Sequence, residues 1–210
     1  MKQLFIGLDV HKKSWSVTIQ EGLAVLKRFS MEPHPTTLIA YVQKHYPTYK
    51  VECCYESCCL GYYIYRALRA AGWNVLVVNP GDIPRINKQS SRKTDKIDSR
   101  YLCQQLAAGH LRGIHVPDEK QEQFRSLFRR RVDLVKNLRR IKNHIKAMLL
   151  YYGIVLPEAY DNINWSHAMI QWIEELQWLY KPAAVTMQSR ISEFKFLQKE
   201  YLHICNELRS

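Results

Sequence analysis

Four carboxylates occupy positions from which they could share one metal site. Asp9 follows the apolar run of residues 4–8, and Glu56 ends a second strand-like run over residues 51–56. Asp95 and Asp98 are three residues apart at the start of a predicted helix, so they share one helix face. Carboxylate oxygens suit Mg²⁺ or Mn²⁺, and clustered acids would repel one another strongly without a bound cation. Two such ions about 4 Å apart can promote phosphodiester cleavage or transfer.

The same acids also have a purely structural interpretation. Acids are common at strand ends, and Asp95 in a first helical turn could simply complement the helix dipole. Asp9 is harder to explain in this way, because a carboxylate that follows a buried strand is costly unless it is paired or bound to metal. The pattern leaves both interpretations open. It favours a Mg²⁺ site in which Mn²⁺ is expected to substitute.

Positive charge predominates in this sequence, with 31 Lys and Arg against 19 Asp and Glu and a formal net charge of +12. That balance favours a polyanionic partner, with nucleic acid ahead of an anionic membrane surface. The residues that we expect to contact phosphates are Lys12, Lys13, Arg85, Lys88, Arg92, Lys93, Lys96, Arg129, Arg130, Arg139, Arg140, Lys142 and Lys146. Such contacts would position nucleic acid without reading its sequence.

Alternating strand and helix patterns predict an α/β domain over residues 1–117. Three strands over residues 3–10, 14–21 and 23–30 have short connections, which favours an antiparallel meander. Later patterns predict helices near 35–45 and 60–71 and parallel strands over 50–56 and 74–79. A basic loop over residues 80–93 then leads into a helix expected to run from the N-cap Thr94 to about Ala108.

Residues 118–210 predict an all-helical region. From position 124 to position 148, residues at alternating steps of three and four are apolar except Arg131. This spacing indicates a long helix over about 118–151 in a coiled coil or a helical hairpin. Further helices are expected near 166–180 and 183–208, and the last could pack against the first. We expect this region to assemble the protein as a homo-dimer or a higher homo-oligomer.

The cysteines and the hydropathy bear on other classes of protein. Cys53-Cys54 and Cys58-Cys59 are adjacent pairs, but neighbours on a strand point to opposite faces, and no CxxC occurs. Buried free thiols are therefore favoured over a zinc site. No apolar run reaches 18 residues and the first 15 residues alternate like a strand, which predicts a cytoplasmic protein without a membrane span or signal peptide.

Several motifs follow one another along the chain. They are Gly7-Leu8-Asp9-Val10-His11-Lys12-Lys13, Tyr55-Glu56-Ser57, Val77-Val78-Asn79-Pro80, Ile83-Pro84-Arg85 and Lys93-Thr94-Asp95-Lys96-Ile97-Asp98-Ser99-Arg100. Together they resemble the DEDD transposases of insertion sequences, relatives of the Piv and MooV invertases. The resemblance continues through Val116-Pro117 and an Arg-rich helix, and it covers most of residues 4–150.

The resemblance implies a RuvC-like domain of the ribonuclease H fold, followed by a coiled coil used in assembly. It assigns the four acids as a DEDD tetrad that binds Mg²⁺: Asp9, Glu56, Asp95 and Asp98. Members of the family excise and insert their element, and some are directed by a structured RNA, so DNA and a guide RNA are expected partners. Full members also carry a C-terminal domain with a nucleophilic serine. We expect that domain to be absent here, and DNA strand exchange would then need it.

Three alternatives remain beside this interpretation. A stand-alone Holliday-junction nuclease carries similar acids on the same fold, and a non-catalytic nucleic-acid-binding assembly module could retain them idle. A sugar-kinase or actin-like ATPase domain also begins with an apolar strand that ends in Gly-x-Asp. Bulky residues at 11–13 and the lack of a second Gly-rich phosphate turn argue against the ATPase.

Overall fold

A computed structural model describes residues 2–83, 95–160 and 164–209 of the chain, and the side chains of residues 95–98 lie outside that description. Within it the chain forms two compact units, Met1–Val116 and Pro117–Ser210. None of the helices in the described residues is long and apolar enough to cross a membrane.

The first unit contains a five-stranded sheet. Its strands are β1 (Gln3–Val10), β2 (Trp15–Glu21), β3 (Ala24–Met31), β4 (Lys50–Glu56) and β5 (Asn74–Val78). They lie side by side in the order β3-β2-β1-β4-β5. The first three form an antiparallel meander, whereas β4 pairs in parallel with both β1 and β5. The predicted α/β class with a mixed ribonuclease H-like sheet is confirmed.

Helices cover the two faces of the sheet. On one face, α1 (Pro35–His45) and α2 (Tyr63–Ala70) pack against alternate apolar residues of the strands, and Leu38 and Leu68 belong to the same buried core as Ile6. The other face receives α3 (Asp95–Ala107), whose Leu102 and Leu106 are buried beside Cys54 and Val78. We call these the apolar face and the α3 face.

The described elements lie close to the bounds expected from the sequence, with two differences in length. The second helix begins at Tyr63 because the chain turns through residues 59–62, with the positive φ of 69° at Gly61. The helix expected near 166–180 ends at Glu174. The predicted loop from residue 84 onward and the N-cap Thr94 lie outside the described residues.

The second unit is built on a helical hairpin. Its helices are α4 (Glu119–Tyr151), α5 (His167–Glu174) and α6 (Lys181–Glu207). The Asp118 side chain caps α4 by accepting a hydrogen bond from the Gln121 amide at 2.7 Å, which satisfies one of the unpaired donors of the first turn. α6 packs against α4 through a shared apolar core, as the sequence suggested.

The residues of α4 that repeat at steps of three and four are only partly buried within this unit. Leu134, Ile141 and Ile145 are buried against α5 and α6, and the Arg131 guanidinium reaches the Tyr201 hydroxyl at 3.3 Å. Phe124, the first residue of the repeat, is 55% exposed. The hairpin therefore accounts for the repeat from residue 131 onward and leaves its beginning uncovered in the described part of the chain.

Candidate active site

Two of the four predicted metal ligands lie on neighbouring parallel strands. The pairing of β1 with β4 places Leu8 opposite Tyr55, and the next residues along the two strands are Asp9 and Glu56. Because Leu8 and Tyr55 are buried in the apolar face, strand alternation directs Asp9 and Glu56 to the α3 face. The sequence prediction that these two acids come together at one edge of the sheet is consistent with this register.

Asp9 lies in a restricted environment. Its side chain is 14% exposed, and its Oδ1 lies 3.3 Å from Nε2 of His11, which is about half exposed. The backbone N–H of His11 donates to the Ser14 carbonyl at 3.2 Å and closes the turn between β1 and β2. On its other flank Asp9 pairs across the sheet with Ser16 of β2. Strands on both sides therefore fix the position of this carboxylate.

Glu56 is the last residue of β4 and is partly exposed. The chain remains anchored immediately after it, because the Ser57 amide donates to the Val78 carbonyl at 2.8 Å. Glu56 is thus held by the sheet on one side and open to solvent on the other.

α3 approaches the sheet at a glycine. A Cβ on Gly7 would lie 2.2 Å from the Ser99 carbonyl oxygen and 2.5 Å from the Cys103 amide nitrogen, so only glycine allows this close contact. A buried hydrogen bond of 3.0 Å joins the hydroxyls of Ser99 and Thr18. Gly7 and Thr18 are paired on β1 and β2, so both contacts fix the same turn of α3.

The direction of α3 bears on the other two acids. Ser99 lies over Gly7, and one turn later the Cys103 thiol donates to the Phe5 carbonyl at 3.3 Å. Towards its own N-terminus, α3 therefore advances to the end of β1 that carries Asp9. Asp95 and Asp98 are the first and fourth residues of α3, and their side chains lie outside the described residues. Their place in the metal site remains a prediction.

The donor set suits a hard divalent cation. The described acids at this edge are carboxylates, which are the usual ligands of Mg²⁺. Among the side chains that the structure describes, no three His, Cys, Asp or Glu groups lie together as a metal site. Asp9 and Glu56 would supply two ligands, and water or substrate oxygens commonly complete the coordination of Mg²⁺.

Buried thiols lie beneath the carboxylates. Cys53 points into the apolar face, while the Cys54 thiol donates to the Leu102 carbonyl at 3.5 Å on the α3 face. Burial raises the pKa of Cys53 and Cys54 well above the usual value and raises the pKa of Cys103 to about 12. These groups therefore pack as neutral thiols, as the sequence suggested. Cys58 and Cys59 are free but exposed, so the expectation of burial is wrong for that pair.

The predicted phosphate-binding residues fall into three groups. Lys12 and Lys13 are exposed in the turn after β1. Arg85, Lys88, Arg92 and Lys93, together with the side chain of Lys96, lie outside the described residues. Along α4, Arg129, Arg130 and Arg139 are exposed and Lys146 is half-buried, whereas Arg140 lies 3.8 Å from Glu193 and Lys142 packs over the Trp165 and Phe194 rings. Burial lowers the pKa of Lys142.

Sequence reasoning missed the residues that fix the position of α3 on the sheet. Ser16, Thr18 and Gln20 alternate along β2, and all three are buried on the α3 face. A buried row of polar residues on a strand, combined with a glycine in the next strand, is the signal that could have indicated a closely packed helix.

Comparison with known proteins identifies the family. A family described as Transposase, the IS110-type DEDD transposases, matches residues 6–154. The presumed transposase y4qE of Sinorhizobium fredii is 28% identical over 195 residues, covering 90% of this chain and 49% of the relative. The transposase of insertion sequence element IS1533 from Leptospira borgpetersenii is 27% identical over 180 residues, or 83% and 51% of the two chains. The presumed transposase y4rJ of S. fredii is 32% identical over 174 residues, or 72% and 42%.

The chain spans about half the length of these relatives. The family match covers well over half of this chain, and it runs from within β1 through α3 to the end of α4. The chain belongs to the IS110-type family of DEDD transposases.

Proposed function

We propose that residues 1–117 form a Mg²⁺-dependent DNA-binding domain whose carboxylates serve DNA strand cleavage during transposition. Its metal ligands are Asp9, Glu56, Asp95 and Asp98, and Mn²⁺ substitutes for Mg²⁺. The observation that carries the proposal is the side-by-side placement of Asp9 and Glu56 at the carboxyl ends of two parallel strands. The direction of α3 towards the same edge supports the addition of Asp95 and Asp98.

The residues of the chain have distinct parts in this mechanism. Asp9 is the most rigid ligand, because β1 is paired on both sides and the carboxylate is 14% exposed. His11 holds Asp9 from the solvent side, and Glu56 faces the incoming strand. When bound, Mg²⁺ supplies activation of the attacking oxygen and stabilisation of the leaving oxygen. The protein holds the carboxylate ligands in place, since ligands that are fixed before the substrate arrives need no reorganisation during the reaction.

DNA and a structured guide RNA are the proposed nucleic-acid partners. Lys12 and Lys13 are exposed in the turn that follows Asp9, and Arg129, Arg130 and Arg139 are exposed along α4. The net charge of +12 supports a large electrostatic contribution to binding. Because the chain spans about half the length of its relatives, the proposal is limited to metal binding, nucleic-acid binding and participation in strand cleavage.

We also propose that α4 joins two copies of the chain. Phe124 and Phe128 are 55% and 54% exposed at the start of α4, and Val132 and Val135 continue this uncovered stripe. Pairing with a second copy would bury this exposed stripe, in which Phe124 is also the first residue of the three-and-four repeat. Replacing both phenylalanines by glutamate should convert dimers to monomers in analytical ultracentrifugation. A wild-type chain that sediments only as a monomer at micromolar concentration would contradict the pairing.

The proposed function is tested by metal-dependent DNA binding. Adding Mg²⁺ or Mn²⁺ should raise the affinity of the chain for a DNA duplex, and Asp9→Asn should abolish that gain. Glu52→Gln is a matched control, since Glu52 lies about 13 Å from Glu56 on the same strand and bonds Gln3. A DNA affinity that changes neither on addition of metal nor in Asp9→Asn would contradict the proposal and favour a non-catalytic module. Unaided cutting of branched DNA would favour the Holliday-junction nuclease.

A further inference from the structure

A small pocket lies on the flank of Asp9 opposite to Glu56. It is formed between β2, β3 and α3, has a volume of about 80 Å³ and is lined by Ser16, Val17, Arg28, Phe29 and Ser99. At about 30 Å³ for each water, it has room for two or three water molecules or for the oxygens of one phosphate group. Every residue of the pocket belongs to the described part of the first unit.

The register of the sheet places this pocket beside the carboxylates. Asp9 pairs with Ser16, which pairs in turn with Ser30 on β3. Arg28 pairs with Thr18, the residue whose hydroxyl bonds Ser99. Neighbouring strands are about 4.8 Å apart. The pocket therefore lies one or two β-strands from Asp9. That distance corresponds to a few nucleotides of a nucleic-acid strand, which rises about 3.4 Å per residue.

The chemistry of the pocket suits a phosphate. Ser16 and Ser99 are 6% and 1% exposed, so their hydroxyls are placed by the fold. Arg28 is exposed on the edge strand, and among the described residues no carboxylate lies within ion-pair distance of its guanidinium. A guanidinium beside fixed hydroxyls can donate several hydrogen bonds to phosphate oxygens, which carry no sequence information.

The negative charge of the carboxylates indicates how a positive pocket beside them could help to bind DNA. Asp9 and Glu56 repel a phosphodiester strand wherever their charge is not fully compensated. A positive group on the β3 side of Asp9 would hold the strand on the face of the sheet and fix its register across the carboxylates.

We propose that Arg28, with Ser16 and Ser99, binds a backbone phosphate of the bound DNA strand. This phosphate lies within a few nucleotides of the phosphate at the carboxylate site, on the same DNA strand. This inference rests on the proposed function, because it takes the carboxylate edge as the site of DNA cleavage. It adds a phosphate-binding subsite on the β2–β3 side, in which Ser16 and Arg28 lie outside the family motifs and Ser99 lies within one of them.

The test compares Arg28→Ala with Lys27→Ala by fluorescence anisotropy on a short labelled DNA duplex, without divalent metal so that no strand is cut. Lys27 is the adjacent residue of β3 and pairs with Ile19, whose side chain belongs to the apolar face. The two variants therefore lose the same charge from opposite faces of one strand. Circular dichroism melting curves check that both variants fold.

Arg28→Ala should weaken binding about tenfold at low salt, as expected for a charged hydrogen bond. It should also reduce the slope of log affinity against log salt by about 0.9, the value for one phosphate contact on duplex DNA. Lys27→Ala should change the slope by much less. Ser16→Ala should weaken binding about fivefold and leave the slope unchanged, since it removes a hydrogen bond without a charge.

Equal slope changes in Arg28→Ala and Lys27→Ala would show a diffuse charge effect and overturn the subsite, as would no change in either. A loss seen with RNA but not with DNA would overturn the assignment to a DNA phosphate. Failure of the proposed function is a separate result, because the wild-type chain would then bind no DNA, or would bind it without any response to Asp9→Asn in the presence of metal.

Discussion

Helices cover both faces of the sheet, but different residues build the two faces. The apolar face presents aliphatic and aromatic side chains such as Leu4, Ile6 and Leu8, all fully buried against α1 and α2. The α3 face presents Gly7 at its centre, buried hydroxyls on β2 and carboxylates at the strand ends. Apolar contacts are non-directional and tolerate small shifts, whereas backbone contact and hydrogen bonds fix one position. The α3 face therefore sets the register of a helix that carries two predicted metal ligands.

The largest difference between the faces is expected at Gly7. Gly7→Ala would place a methyl group 2.2 Å from the Ser99 carbonyl oxygen, a contact that backbone atoms cannot relieve without moving α3. We expect a loss of about 3 kcal/mol or more in the free energy of unfolding, at the upper end of overpacking effects. Ile6→Val, one residue away on the apolar face, should cost about 1 kcal/mol. Urea denaturation followed by circular dichroism measures both, and similar losses would remove the distinction between the faces.

A smaller effect is expected at the hydroxyl pair that seats α3. Ser99→Ala should cost about 1–2 kcal/mol, because it leaves the fully buried Thr18 hydroxyl without its 3.0 Å partner. The double variant with Thr18→Val should be less destabilised than the sum of the two single variants, since it removes both polar groups. Strict additivity in this double-mutant cycle would contradict an energetic coupling between α3 and β2.

The pH dependence is the property in which the two faces should behave alike. Burial raises the pKa of Cys103 on the α3 face to about 12 and that of Cys53 on the apolar face well above its usual value. The unfolded chain ionises these thiols near pH 9, so the stability that neutral thiols contribute is complete below pH 9 and is lost as pH rises towards 12.

Cys103→Ala and Cys53→Ala should each reduce the loss of stability between neutral pH and pH 10, by about 1 kcal/mol per thiol. Denaturation curves measured at several pH values test this, with Cys58→Ala as the exposed control. A variant of Cys103 whose pH dependence equals that of the wild-type chain would show that water reaches the α3 face.

The sequence supports a large part of this fold and two members of the site. Strand alternation and helix periodicity depend on local composition, so the order of the elements and the meander could be predicted. Asp9 and Glu56 could be paired because acids at the carboxyl ends of adjacent parallel strands meet at one edge of the sheet. The helix pattern placed Asp95 and Asp98 in the same candidate site, the family resemblance assigned all four acids as a tetrad, and the side chains of Asp95 and Asp98 lie outside the described residues.

The remaining features depend on contacts between distant parts of the chain. The seat of α3 joins residues 7 and 18 to residue 99, and the sequence does not reveal that a helix will approach a glycine so closely. The Arg28 pocket depends on the register of β3 against β2, which shifts at the irregularity between Ile19 and Gln20. The exposure of Phe124 likewise follows from where α6 ends relative to α4, since the repeat by itself is apolar on both sides of Arg131.

The central claim is that Asp9 and Glu56 belong to one metal site, and a Mn²⁺ titration without nucleic acid tests it most directly. Isothermal titration calorimetry should show saturable binding by the wild-type chain, which either Asp9→Asn or Glu56→Gln weakens at least about tenfold, with the double variant no weaker than the worse single one. Glu52→Gln, which removes the same charge from the same strand, should bind like the wild type. Equal affinity in wild-type, Asp9→Asn and Glu56→Gln chains would contradict a shared site.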